Sequence, residues 1–386
     1  MKISIITFWQ SLDNYGQILQ SYALQRVLLE RGHSPEILRY GFHEFLYPSI
    51  HFKDIFNKSG LKNIYIHFNL YLRQLLKNED VRNFRVFKKK YFHFSKETYN
   101  TLKDLQVNSP SADCYIAGSD QIWAQLLSNN NNKSFFLDFG NKDIRRVAYA
   151  PSFALKEYPI ELLPILTEQL SKFNAISVRE PNGVTICNKA GFKAKLVLDP
   201  TLLLPPKYYS KFFSHYLPIK KSPYCFIYHV NVYSSNALFW ENIKQYNSLH
   251  GIVNISTYAN GDKSKNMHIL DKTQYVYPTI EQWLLLIKNA KYVVTTSFHG
   301  IAFSILFHKP FIYCPVPESK YAANDRVSSL LERLNIKDRT LADNNIDNIT
   351  RILESSIRWD DVDLSLDKLR KDSLDFLLSS INESPF

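Results

Sequence analysis

The stretch KISIITFWQSLDNYGQILQSYALQRVLLERGHSPEILRY, residues 2 to 40, decides the fold. KISIITFW reads as a strand, SLDNYG as a loop, QILQSYALQRVLLERGH as a helix and SPEILRY as a second strand. Within the helix Ile18, Leu19, Tyr22, Leu24, Val27 and Leu28 recur at steps of three and four residues, which puts them on one face. Gly32 follows the last turn, as a helix-ending residue should. Strand, helix and strand at this spacing predict a βαβ unit, and so a parallel sheet with crossover helices.

The alternation continues in both composition and period. DCYIAGSDQIW, RRVAYAPSFA, FNAISVREPNGVTICNKAG and AKLVLDPTLLL each give a strand that runs into a polar or glycine-containing loop, the place where open α/β sheets set their ligands. LPPKYYSKFFSHYLPIKKSPY is rich in Pro and Lys and reads as a linker. After it the pattern restarts with YCFIYHV, a helix around Ala237 to Leu249, GIVNIST, IEQWLLLIKNA, KYVVTTS, an apolar helix at Ile301 to Phe307 and a strand at Pro310 to Tyr313. The expected architecture is α/β, with two Rossmann-like lobes around a cleft. The first spans 1–214 with a basic aromatic insertion at about 42–100, and the second spans 215–345. Residues 346–386 read as amphipathic helices that cross back over the first lobe.

Composition narrows the function classes. Of 386 residues 45% are hydrophobic and 22% charged, which suits a folded soluble chain rather than a disordered one. A net charge of +11 favours anionic partners, and residues 51 to 94 concentrate it, with ten Lys or Arg against three acids among many aromatic and aliphatic residues. Such a segment fits either a helical pair with a solvated basic face or an interfacial membrane contact. Nucleic acid is not expected, because no recognition helix or RNA-binding signature is present. Cys114, Cys187, Cys225 and Cys314 lie far apart in apolar contexts, which argues against zinc and against a disulfide framework. With eleven glycines the chain has neither a G-x-G-x-x-G nor a P-loop. No signal core and no membrane-length apolar run occur, so the expected location is cytoplasmic, at most touching the inner membrane face.

The chemistry-bearing residues sit at strand ends. His299 lies where a strand hands over to a helix, beside free helix-terminal N–H groups that attract anions, and reads as a general acid or as a turn histidine bonded to backbone. Arg179 ends the strand of ISVREPNG. It offers a planar fork for carboxylate or phosphate, or a salt bridge to Glu180 or Asp199. Asp120, in the GSDQIW junction with Ser119 and Gln121, is either a helix cap or a carboxylate that activates a hydroxyl. Asn14, Tyr15 and Gln17 offer hydrogen-bond groups suited to a sugar or a phosphate, and Ser152 adds a hydroxyl beside a proline-stiffened turn. Arg326 opens a helix, where a cation works against the helix dipole, and this makes it a candidate anion ligand.

In this order DNYGQILQSYALQ, AGSDQIW, YAPSFA, SVRE followed by LDPTLLL, and TTSFHGIAFSILFHKPFI resemble the polysaccharide pyruvyl transferase family over about residues 13 to 330. The resemblance implies a fold similar to the two-domain GT-B glycosyltransferases. It also implies a reaction in which phosphoenolpyruvate places a pyruvate ketal on a sugar of a surface polysaccharide or its lipid-linked precursor. His299 matches the family's general acid and Arg179 its phosphoenolpyruvate ligand; with Ser297, Gly300 and Arg326 they make up the expected donor site. Asp120 would assist catalysis, and Asn14, Tyr15, Gln17, Ser119, Gln121 and Ser152 would hold the acceptor. No cofactor or metal is expected beyond the donor. Well-described members carry Arg two residues before the histidine, where this chain has Ser297, so Arg326, Lys320, Arg145 or Arg146 would have to substitute. A GT-B glycosyltransferase with a nucleotide-sugar donor, whose pyrophosphate helix N-termini can hold without that arginine, is the alternative, and a non-catalytic saccharide-binding protein a third reading.

Overall fold

The computed structural model describes residues 1–41, 82–124, 127–214, 222–259, 268–316, 323–341, 343 and 345–382. Strand β1 (Lys2–Ile6), helix α1 (Tyr15–Glu30) and strand β2 (Ser34–Tyr40) form the opening βαβ unit, with β1 and β2 parallel. The Asn14 side chain accepts from the Gln17 amide at 3.2 Å and caps α1. Gly32 ends it at a φ of 78°, a conformation that costs a residue without Cβ little. There follow α2 (Phe84–Tyr91), β3 (Phe94–Tyr99), α3 (Leu102–Val107), β4 (Cys114–Ala117), β5 (Arg145–Ala148), α4 (Leu163–Leu170), β6 (Ala175–Val178), α5 (Pro181–Lys189), β7 (Lys195–Leu196) and the short α6 (Lys207–Ser210). Among the described residues the strands make one parallel seven-stranded sheet in the order β3-β2-β1-β4-β5-β6-β7. The chain changes winding direction between β1 and β4, and doubly wound sheets bind their ligands in the crevice outside that point.

The second lobe runs through β8 (Tyr224–Val230), α7 (Trp240–Leu249), β9 (Val253–Ala259), β10 (Gln274–Tyr275), α8 (Ile280–Asn289), β11 (Tyr292–Thr295), α9 (Phe298–Leu306), β12 (Phe311–Tyr313) and α10 (Ala323–Arg333). Its strands form a parallel five-stranded sheet, β10-β9-β8-β11-β12. The inner strands β4, β5 and β11 are buried along their length, as parallel sheets covered on both faces require. The basic stretch contributes α2 and the edge strand β3, whose mostly exposed polar residues hide its strand character from a periodicity argument. Residues 51–81 of that stretch, and Lys320, lie outside the described residues. No helix among those described is long and apolar enough to cross a membrane.

The two lobes share one continuous apolar cluster, which runs from Ile3 and Leu19 in the first to Trp283 and Phe303 in the second. At the junction Tyr15 lies flat on Trp283, with ring centroids 5.0 Å apart, and its hydroxyl donates to the Pro278 carbonyl at 2.8 Å. Stacked aromatics of this kind contribute roughly 0.5–1.5 kcal/mol beyond their area burial. Arg82 spans the same seam, donating to the carbonyls of Asp13 at 2.9 Å and Tyr258 at 2.8 Å. The two C-terminal helices part company. Helix α11 (Ile346–Glu354) sends Ile349 and Ile352 into the second-lobe core, whereas α12 (Trp359–Asn382) returns to the first lobe. There Leu198 N donates to Ser373 Oγ at 2.9 Å, Arg370 Nε donates to Leu202 O at 2.8 Å, and Arg145 Nε donates to Ser380 O.

Candidate functional site

The loops after β1, β4, β6 and β7 converge on the turn between β11 and α9, so the first lobe brings carboxylates to a histidine of the second. Arg179, at the end of β6, is the hub. Its Nη1 donates to Asp199 Oδ2 at 2.7 Å and its Nη2 to Asp120 Oδ1 at 3.1 Å, while Phe298 packs its ring 5.6 Å from the guanidinium carbon. Asp199 follows β7 and is fully buried. It also accepts from the Thr201 amide at 3.0 Å, the Thr201 hydroxyl at 2.7 Å and the Ser119 hydroxyl at 3.0 Å. Asp120 accepts from Gln17 Nε2 at 3.2 Å, which ties the first turn of α1 to the cluster. Its backbone sits at a φ of 77°, and strain of that kind, about 1–3 kcal/mol, persists where the surroundings over-determine it, as at functional sites.

His299 enters from the first turn of α9, with Nε2 3.6 Å from Asp199 Oδ1. Two missing side chains make its position possible. A Cβ on Gly16 would lie 2.0 Å from His299 Nδ1, and a Cβ on Gly300 would lie 2.5 Å from Thr295 Oγ1. Gly16 therefore opens the seat for the ring, and Gly300 lets α9 pack onto the end of β11. Ser297 Oγ accepts from the Gly300 amide at 3.4 Å and caps α9.

Arg326, in the first turn of α10, closes the site. With the Gln121 amide turned so that its oxygen faces the guanidinium, it accepts from Nη2 at 2.8 Å and Nη1 at 3.1 Å. The Nε of Arg326 and that of Arg179 are both buried, and neither has a partner among the described residues. Asn182 on α5 donates to Asp325 beside it, a further tie between the lobes.

The electrostatics follow from who faces whom. Burial alone would raise the Asp199 carboxyl, but His299, Arg179 and the Thr201 amide outweigh it and hold that group well below the usual carboxylate range. Asp120 is likewise buried, yet Arg179, His299, Arg326 and the Gln121 amide lower it. Glu180 goes the other way: burial raises it, against a smaller pull from Arg179 and Arg326. Burial and the charge of Arg179 lower Arg326 to about 10. Among the described residues no group of three or more His, Cys, Asp or Glu is placed to hold a metal ion.

Arg179 thus forms the salt bridge to Asp199 and a second one to Asp120, not one to Glu180. Asp120 accepts from the Gln121 amide at 2.9 Å, so it caps its turn while meeting Arg179 and Gln17. Tyr15 packs the lobe junction and does not line the cluster, because its ring and hydroxyl are both engaged with the second lobe. Ser152 is fully buried and accepts from the Ala154 amide at 3.1 Å. Asn14 and Ser297 spend their side-chain oxygens on helix caps. Arg145 faces α12, and Arg146 donates to the carbonyls of Leu137, Phe139 and Asn141, so neither reaches the site. The bridge from Arg179 to Asp199 is one of the two partners the sequence offered, whereas the approach of Asp199 and of Gly16 to His299 was not read from it.

The profile of a family described as polysaccharide pyruvyl transferase matches residues 14–317, which takes in every group of the cluster except Arg326. The chain belongs to the polysaccharide pyruvyl transferase family. No curated protein matches it. This pyruvyl transferase family member is similar in structure to UDP-N-acetylglucosamine 2-epimerase from Rickettsia bellii, at a TM-score of 0.51 and 8% identity over 99% of this chain and 97% of that one. It is also similar to the Methanocaldococcus jannaschii UDP-GlcNAc 2-epimerase in complex with UDP-GlcNAc and UDP, at a TM-score of 0.46 and 13% identity over 92% of both chains. A third similar structure is the UDP complex of S. aureus MnaA, at 0.48 and 11% over 100% and 99%. The fold is GT-B-like.

Proposed function

We propose that the protein transfers a pyruvyl group from phosphoenolpyruvate to a sugar of a surface polysaccharide or its lipid-linked precursor, closing a pyruvate ketal. The observation that carries the reading is the pair of buried guanidinium groups, Arg179 and Arg326, each with an unpartnered Nε within one cluster that also holds His299. A buried N–H without a partner is costly unless a ligand completes it, and the donor's carboxylate and phosphate are such ligands. Arg326 takes the part that Ser297 leaves open.

In this reading His299, as imidazolium, protonates the methylene carbon of phosphoenolpyruvate. The double-bond pair forms the new C–H bond, and the adjacent carbon becomes an oxocarbenium-like centre. One sugar hydroxyl attacks it and gives its proton to Asp120, and a second hydroxyl forms the other C–O bond as the C–O bond to phosphate breaks, its proton leaving on the released phosphate. Arg179 and Arg326 stabilise the charge on the donor throughout. Gln17 and Gln121 line the acceptor side. The donor is a substrate, and no further cofactor takes part. A lipid-linked acceptor at the inner membrane face gives the basic segment 51–94 a role as a peripheral contact.

The test measures thermal stabilisation by phosphoenolpyruvate and, separately, by UDP-GlcNAc, followed by phosphate release with a saccharide acceptor. A native-state ligand at about 100 times its Kd adds about 2.7 kcal/mol. Stabilisation by phosphoenolpyruvate and loss of turnover in His299→Ala are expected. Stabilisation by the nucleotide sugar alone would replace this reading with a glycosyltransferase.

A further inference from the structure

His299 has two ring nitrogens, and the fold treats them differently. Nε2 is sealed from solvent, makes no hydrogen bond among the described residues, and has Asp199 Oδ1 before it at 3.6 Å. Nδ1 lies against Gly16, at the position where the first lobe omits a side chain. Asp199 is itself immovable. It is fully buried, and the Thr201 amide and hydroxyl, Ser119 and Arg179 fix both of its oxygens. A distance of 3.6 Å is longer than a hydrogen bond, and catalytic contacts of this kind commonly tighten only when substrate binds.

We propose that Asp199 is a positioning residue that takes the Nε2–H of His299 and leaves Nδ1 as the nitrogen that passes a proton to the donor. This rests on the acid role proposed above for His299. A carboxylate behind an imidazole fixes the tautomer and the ring plane, so that the opposite nitrogen does the chemistry. In the step itself the Nδ1–H bond breaks and its electron pair stays on nitrogen. The proton joins the donor's methylene carbon through the π pair, and the imidazole is left neutral with its proton on Nε2, still facing Asp199. The lobes thereby divide the work, the second supplying the ring and the first choosing which of its nitrogens acts.

The experiment labels the histidines of the full chain with nitrogen-15 and records two-bond proton–nitrogen correlations, the His299 signals being those that vanish in His299→Ala. In the neutral form the wild type should carry its proton on Nε2. Asp199→Asn should shift the population toward Nδ1–H and lower kcat on the order of 10²–10⁴-fold. A wild-type His299 protonated on Nδ1 would overturn the proposal without recourse to any variant, and so would an Asp199→Asn protein with unchanged tautomer and kcat. Failure of the underlying reading looks different: His299→Ala would then retain turnover, whatever the tautomer.

Discussion

Gly16 shows how much a single residue decides here. A Cβ at this position would overlap the imidazole of His299, so Gly16→Ala must push the ring off Asp199. Because a displacement of about 1 Å can cost 10²-fold in rate, kcat should fall by about that factor, while the melting temperature, read in the same preparation, changes little. His229 makes a separate prediction. It is fully buried, neither ring nitrogen has a partner among the described residues, and burial lowers it to about 4. Unfolded, it titrates near 6.5. Between those values the unfolded chain binds the proton and the folded one does not, so stability rises with pH across that window. About 3 kcal/mol should be lost on going from pH 7 to pH 4, and denaturant titrations of His229→Leu should lack that component. At this scale the sequence was only partly legible. His299, Arg179 and Asp120 stand out as polar residues at strand ends in an α/β pattern, though each also had a structural reading there, and Arg179 does form a salt bridge and Asp120 does cap its turn. The Arg179–Asp199 bridge was legible as one of two partners within a lobe, but the contacts of Asp199 and Gly16 with His299 were not, because they depend on a residue from the other lobe.

Helix α9 carries most of the site's geometry through its first turn. Ser297 caps it, Gly300 seats it on Thr295, and His299 projects from between them. Ser297→Ala removes a helix cap and should cost about 1 kcal/mol in chemical denaturation. Donor KM should stay within about twofold, because the Ser297 oxygen is turned toward the Gly300 amide; a rise of tenfold or more would put Ser297 back among the donor ligands. Elements of this kind read well from sequence. The strands β1, β4, β8 and β11 and the helices α1, α8 and α9 announce themselves through apolar runs or through three-and-four spacing with cap residues. Strands β3 and β10 do not, because an edge strand with one covered face, or only two residues, leaves no periodic signal.

In the whole molecule the lobes are not independent bodies. A shared apolar cluster, the Tyr15–Trp283 stack and the Arg82 tie join them, and calorimetry should show one cooperative transition rather than two. Two resolved transitions would mean that the seam contributes less than its packing indicates. Deleting the chain from residue 356 onward removes α12 and with it the cover over Leu198 and Leu202, and the truncated protein should lose cooperative unfolding altogether. The two-lobe plan is legible in the sequence because each βα repeat declares itself locally, whereas the route of α12 across the first lobe is written in contacts between residues 168 to 235 positions apart. That route bears on how the protein is made. Chains fold from the N-terminus as they leave the ribosome. Here the first lobe waits for α12, which is translated after both lobes, and until then it presents an unfinished apolar surface to solvent. Nascent or prematurely terminated chains of this protein should therefore be clients of chaperones, and synthesis rate, as much as native stability, should set how much active protein accumulates.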